Sequence, residues 1–221
     1  MFKNLKKAGL LLLLLCIINV LPAFGMSYQE IKSAYTKSYL YEKTQDYKDA
    51  IKALMFVYKT YPEGYTINLR LGWLYYLSGK YANSEKHYKK ALKAIPSSVE
   101  AILGLSLPLL AQKKWSKVET LMYRILKIDY YNYYANLRLC YVLRMQKKYS
   151  ACEKVARKML YIYPTDVNFL NELAISLYHQ KKFVYAESLF KDVLILDPEN
   201  VTAKEYLKLL QKIEKNKHAK H

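Results

Sequence analysis

YTINLRLGWLYYLSGKYANSEKHYKKALKAIPSS, residues 65–98 of a 221-residue chain, ends where a second copy of the same pattern begins. Its proline, Pro96, belongs to a series with Pro62, Pro164 and Pro198. Tyr130 stands where the missing member falls, so the chain advances in steps of 34 residues. A repeat of that length is one helical hairpin, which buries its apolar face by stacking on the next.

Blocks counted from Ile31, Tyr65, Val99, Tyr133 and Val167 define repeats 31–64, 65–98, 99–132, 133–166 and 167–200. They agree at several independent positions. The eighth residues are Ser38, Gly72, Ser106, Cys140 and Ala174, and the twentieth are Ala50, Ser84, Val118, Cys152 and Ala186. Both columns are small, which lets two helices approach closely. The seventeenth is aromatic throughout, as Tyr47, Tyr81, Trp115, Tyr149 and Phe183, and the seventh is leucine in every block after Lys37. This is a packing code.

The pattern resembles the tetratricopeptide repeat family. Block two supplies Leu71, Gly72, Tyr75, Ser84, Tyr88, Ala91 and Pro96 of its motif, and block five Leu170, Leu173, Ala174, Ala186, Phe190 and Pro198. The resemblance covers residues 31–200 and implies an all-α, right-handed α-solenoid of five tandem helix-turn-helix repeats. Residues 201–215 continue the helical pattern as a capping helix with Ala203, Tyr206, Leu207, Leu210 and Ile213 on one stripe. It further implies a non-enzymatic scaffold, without cofactor, whose first helices line a concave groove for a peptide or helix of a partner protein.

The N-terminus carries Lys3, Lys6 and Lys7, an apolar run from Ala8 to Leu21, and then Pro22-Ala23-Phe24-Gly25. That is the form of a secretory signal peptide over 1–25, cleaved after Gly25, with 26–221 as the exported domain. Asn19 and Pro22 interrupt the run before the ~20 residues of a spanning helix. Net charge is +18, and removing the leader takes away three lysines and no acid. In an exported protein, with a bacterial periplasm as the expected compartment, such charge favours an anionic membrane, polysaccharide or acidic partner over nucleic acid. An accessory subunit of a secretion or polysaccharide-export machine fits the same features.

The first-helix face not committed to packing carries Tyr35, Tyr39, Arg70, Trp73, Tyr76 and Leu107, followed by Tyr134, Arg138, Tyr141, Arg144, Tyr178 and His179. Tyr, Trp and Arg dominate binding hot spots, and these residues form the expected partner groove. Family members that clamp a terminal carboxylate place Lys and Asn where this chain has Tyr35 and Tyr39, or Leu69 and Trp73, so that clamp is missing.

Lys80 and the pairs Lys113-Lys114, Lys147-Lys148 and Lys181-Lys182 recur in the turn inside each hairpin. They read as a basic ridge for an anionic surface, or as charges serving solubility and helix ends. Cys140 and Cys152 occupy the two small columns of block four, so they are neighbours: a disulfide in an oxidising compartment, or two small buried thiols. Pro108 lies inside a first helix and leaves the Gly104 carbonyl without its helical donor. Gly104 is expected to leave room on the groove side. His87, His179, His218 and His221 are scattered, and neither a metal site nor a catalytic set emerges.

Overall fold

The computed structural model describes residues 25–218, so the leader through Phe24 and the last three residues lie outside the described residues. Among the described residues every regular element is a helix: α1 Tyr28–Lys43, α2 Tyr47–Thr60, α3 Tyr65–Leu77, α4 Tyr81–Ala94, α5 Val99–Ala111, α6 Trp115–Leu126, α7 Tyr133–Met145, α8 Tyr149–Leu160, α9 Val167–His179, α10 Phe183–Leu196 and α11 Val201–His218. They form two compact units, one ending at Pro62 and the other running from Glu63 to the C-terminus. No described helix is long and apolar enough to cross a membrane.

The first unit is the hairpin α1–α2. Ser27 and Glu30 form a reciprocal capping box at the start of α1, and Asp46 caps α2 by accepting from the Asp49 N–H. Ser38 and Ala50, the small residues of this block, are fully buried at the helix crossing. Lys37, in the column that is leucine elsewhere, is exposed.

The second unit is an all-α solenoid of tandem hairpins. Each first helix packs on its own second helix, each second helix on the next first helix, and α11 closes the stack against α10 and α9. Both small columns are buried in every block. The contact is close enough for Ser84 Oγ to donate to the Gly72 carbonyl at 2.7 Å, and Cys140 Sγ lies 3.6 Å from the Cys152 carbonyl. A buried hydroxyl is thereby satisfied by backbone across the helix crossing.

Position 24 fills the wedge beside that crossing with Tyr88, Met122, Ala156 and Phe190, all buried. Tyr88 fits only because glycine stands on both sides of it. A Cβ on Gly72 would meet the Tyr88 ring at 2.9 Å, and one on Gly104 would overlap it. Gly104 therefore faces the wedge between helices and does not open space in the groove, as the sequence suggested. Burial raises the Tyr88 hydroxyl pKa far above its ordinary value.

The turn inside each hairpin places position 15 in the left-handed region: Gln45, Gly79, Lys113, Lys147 and Lys181 have φ of 61°, 73°, 55°, 60° and 62°. Only Gly79 adopts this without steric cost. Position 1 tyrosines buttress the following hairpin. The Tyr65 hydroxyl is 2.7 Å from the Ser98 hydroxyl, and Tyr133 donates to Asp166 at 3.0 Å; Ser98 and Asp166 are the next N-caps.

Two predictions follow from this packing. Gly104→Ala should lower unfolding stability by about 1–3 kcal/mol in denaturant melts despite the helix propensity of alanine. The penalty should shrink in a Tyr88→Leu background, where the overlapping ring is gone. His87 is buried, stacks on Tyr75 and shares a 2.9 Å hydrogen bond with Asn68. Burial, aided by Lys86 and Lys90, lowers its pKa from 6.5 to about 4. The unfolded chain then binds the extra proton between those values, so stability is full above pH 6.5 and declines, by roughly 3 kcal/mol in total, as pH falls toward 4. His87→Gln should flatten that part of the pH profile.

Candidate functional site

The first helices of the second unit provide the groove-facing side chains, which divide into those used internally and those left available. Position 6 is used internally. Gly104 lies under Tyr88. Arg138 donates to the Leu103 carbonyl at 2.7 Å and to Ser106 Oγ at 2.6 Å, both on the preceding first helix. That carbonyl adjoins the Gly104 carbonyl whose helical donor Pro108 removes. Burial lowers the Arg138 pKa. Arg70, in the same column, is only 7% exposed, which corrects its assignment to the groove: it belongs to the packing.

Arg144 is also committed. Its guanidinium forms a two-point pair with Glu172, 2.8 Å from Nε and 3.2 Å from the terminal nitrogen, and lies over the Tyr141 ring. Burial pulls against its charge, but the Glu172 carboxylate prevails and raises its pKa. At the end of the stack, α11 packs against part of what the sequence placed in open groove, leaving Tyr178 half-buried and His179 exposed. Tyr178 packs edge-on to Tyr206 at 4.9 Å, and His179 stacks on Tyr149 at 4.6 Å with its Nε2 3.5 Å from the Tyr206 hydroxyl. Burial, then the nearby Arg144, lowers the His179 pKa.

Tyr134 and Tyr141 remain exposed, at 61% and 37%. Trp73 and Tyr76 are half-buried with rings 5.8 Å apart, and Leu107 is half-buried beside Pro108. In the first unit, Tyr39 is exposed and Tyr35 half-buried on α1. Trp115, from the aromatic seventeenth column, is half-buried and meets Tyr141 edge-on at 5.9 Å.

Arg138, Tyr141 and Arg144 come together around one concave cavity of about 420 Å³. Leu110, Leu137 and Ile175 give it apolar walls, while Asn168, Asn171, Glu172 and Thr202 bring polar groups that sequence reasoning did not single out. Asn168 and Asn171 stand at positions 2 and 5 of block five, columns that carry groove residues in other blocks, so the same spacing rule would have found them. Asn171 Oδ1 is buried with no hydrogen-bond partner, although its amide nitrogen reaches Asn200 at 3.4 Å. An unpaired buried acceptor costs free energy until a donor arrives, so the cavity offers a place for an N–H group.

The turn lysines have a different fate from the groove. Glu85, Glu119 and Glu153, one per second helix, each accept from the glutamine and the second lysine of the following turn. The glutamine contacts are Gln112 at 2.8 Å, Gln146 at 2.7 Å and Gln180 at 2.8 Å. Those of Lys114, Lys148 and Lys182 are 2.7, 2.7 and 3.1 Å. Burial raises these carboxyl pKa values, but the hydrogen bonds outweigh it and hold all three below the ordinary range. Three of the seven lysines of the expected ridge thus belong to an inter-repeat ladder, and Lys80, Lys113, Lys147 and Lys181 remain exposed. Cys140 and Cys152 are free, buried thiols, and burial together with the Cys152 contact pushes Cys140 well up. Among the described residues no group of three His, Cys, Asp or Glu side chains is placed to hold a metal ion.

A tetratricopeptide repeat family model matches residues 35–99. No curated protein matches the chain. Among solved structures, a tetratricopeptide repeat protein from Parabacteroides merdae superposes with a TM-score of 0.77 at 17% identity, over 86% of this chain and 76% of its own. A MamA protein superposes with a TM-score of 0.68 at 17% identity, over 78% of this chain and 94% of its own. MamA from Desulfovibrio magneticus gives 0.65 at 15% identity, over 71% and 88%. At such identities the likeness speaks for the fold. The 34-residue columns, the stacked hairpins and the match over residues 35–99 agree: the chain is similar to the tetratricopeptide repeat family and shares its fold.

Proposed function

We propose that this protein is a non-enzymatic, exported interaction scaffold of a bacterial cell envelope that holds a peptide segment of a partner protein in the first-helix cavity. The leader-like N-terminus supports export, and the repeat architecture supports a scaffold. The observation that carries the binding reading is the pairing, in one cavity, of an unsatisfied buried acceptor, Asn171 Oδ1, with the exposed ring of Tyr141.

An extended backbone has the matching chemistry. Its N–H would satisfy Asn171, and an apolar side chain would lie between Tyr141 and Ile175. The Arg144–Glu172 pair beneath is already neutralised, so it orients the walls without demanding a charged ligand. Arg138 and Arg144 being occupied, selectivity for a free carboxylate is not expected. Anchoring on an anionic polymer through the turn lysines is the weaker reading, because Lys114, Lys148 and Lys182 are paired with glutamates.

A photoreactive residue at Tyr141, introduced into the full chain in living cells, should give a discrete protein adduct. Asn171→Ala should weaken capture about ten-fold, equivalent to about 1.4 kcal/mol, without lowering the melting temperature. Loss of folding in Asn171→Ala would mark it as core, and undiminished capture would place the ligand elsewhere.

A further inference from the structure

A second concavity lies on the second-helix layer, between α6 and α8. Its volume is about 510 Å³, within the ~300–1,000 Å³ range of ligand clefts. Leu126, Leu139 and Val155 form an apolar floor, Tyr123 and Tyr130 stand as walls, and Lys127, Lys154 and Lys158 complete the lining. None of the lining residues is acidic. At the equivalent positions one repeat earlier the floor is again apolar, with Leu92, Leu105 and Leu121, but Lys89 and Pro96 stand where the tyrosine walls are. The tyrosine walls are therefore particular to this junction.

Lys158 is held in place at the edge of this slot. Its Nζ donates to the Tyr130 carbonyl at 3.0 Å and lies 3.9 Å from the centroid of the Tyr130 ring. The same column supplies Lys90 to Glu63 and Arg124 to the Pro96 carbonyl, so this cation is positioned by the repeat itself. Burial lowers the Lys158 pKa, which means that part of its hydration has already been given up. Outside the slot, Ile128 and Tyr131 are about half exposed in the turn after α6. Apolar floor, aromatic walls and cationic rim form the arrangement that suits a water–hydrocarbon interface, where amphipathic side chains lie with their stems in the apolar layer and their charges in water.

We propose that this slot takes an acyl chain of an anionic phospholipid, with the headgroup phosphate against Lys127, Lys154 and Lys158, so that the second-helix face docks on an anionic bilayer. Charge complementarity selects this occupant. The chain's own apolar run, residues 8–21, is preceded by Lys3, Lys6 and Lys7, and a second copy carries the same net charge of +18; both would bring positive charge to a positive rim. A bilayer brings the hydrocarbon and the anion together. This site is separate from the first-helix cavity and does not depend on the reading given to it.

The test uses the full chain in cells with a photoreactive residue at Tyr123, followed by mass spectrometry of the adducts. Anionic phospholipid adducts at Tyr123, in several-fold excess over those from the same probe at Lys113, are expected. Lys127→Glu with Lys154→Glu should remove most of them, and Lys127→Gln with Lys154→Gln should remove part. Lys127 and Lys154 are exposed, so the melting temperature should not change, and the neutral pair serves if charge reversal impairs folding. Adducts to protein alone, adducts equal at both probe sites, no adduct, or lipid adducts insensitive to both double variants would each overturn the proposal. A missing Tyr141 adduct would not bear on it, so failure of one site can be told from failure of the other.

Discussion

The fold depends on a steric constraint: within each hairpin the two helices cross where neither carries a large side chain. Close-packed interiors leave no slack at such a point. Once the crossing is fixed by Gly72 with Ser84, or by Cys140 with Cys152, the volume beside it is fixed as well, and position 24 must match it. Tyr88 is admitted because Gly72 and Gly104 both withdraw. Ala156 is small where the crossing is made by two sulfur side chains. The columns are therefore coupled, and a change in one is felt by residues a full repeat away.

The polar interactions repeat with the same period but do a different job. Exposed ion pairs each contribute about 0–1 kcal/mol, so the glutamate, glutamine and lysine ladder is a modest source of stability. Its value lies in repetition. Three carboxylates at the same place, each gripping the following turn at two points, disfavour any sliding of one hairpin over the next. Where the series ends, Glu187 has no further turn to reach and pairs with Lys191 on its own helix at 2.7 Å. The lysines before them pay a backbone cost, since Lys113, Lys147 and Lys181 hold the left-handed conformation that glycine adopts freely at position 79.

The packing could be read from sequence because sterics act on residue size, and size is written in each letter. Columns 7, 8, 17 and 20 needed no partner to be recognised. Charge could not be read that way. A lysine pair in a turn looks the same whether it meets solvent or a carboxylate 29 residues earlier, so the ridge was seen and its glutamates were not. Arg138 was hidden for a related reason, since its acceptor is a backbone carbonyl that no residue type reveals. A rule that treats all five blocks alike ignores α11, which packs on the last first helix and partly covers Tyr178, whereas His179 stays exposed. Tyr134, Tyr141 and the asparagines of block five are among the residues the column rule retains once these internal uses are subtracted.

Helix α7 is the one element common to both concavities: Leu137, Arg138, Tyr141 and Arg144 line the first, and Leu139 lies on the floor of the second. Communication between them would require α7 to shift, because coupling needs an element with two arrangements that each ligand favours differently. Its surroundings oppose a shift. The crossing at Cys140 and Cys152 leaves no room to rotate, Arg138 ties α7 to α5, and the Arg144–Glu172 pair ties it to α9. Moving it would break buried hydrogen bonds on both sides at once, and neither concavity holds enough polar contacts to offset that. The two sites should accordingly behave independently. Tyr141→Ala, which empties the first, should leave the yield of lipid adducts at Tyr123 unchanged, and a change of several-fold would show that α7 has a second position that the packing around it does not reveal.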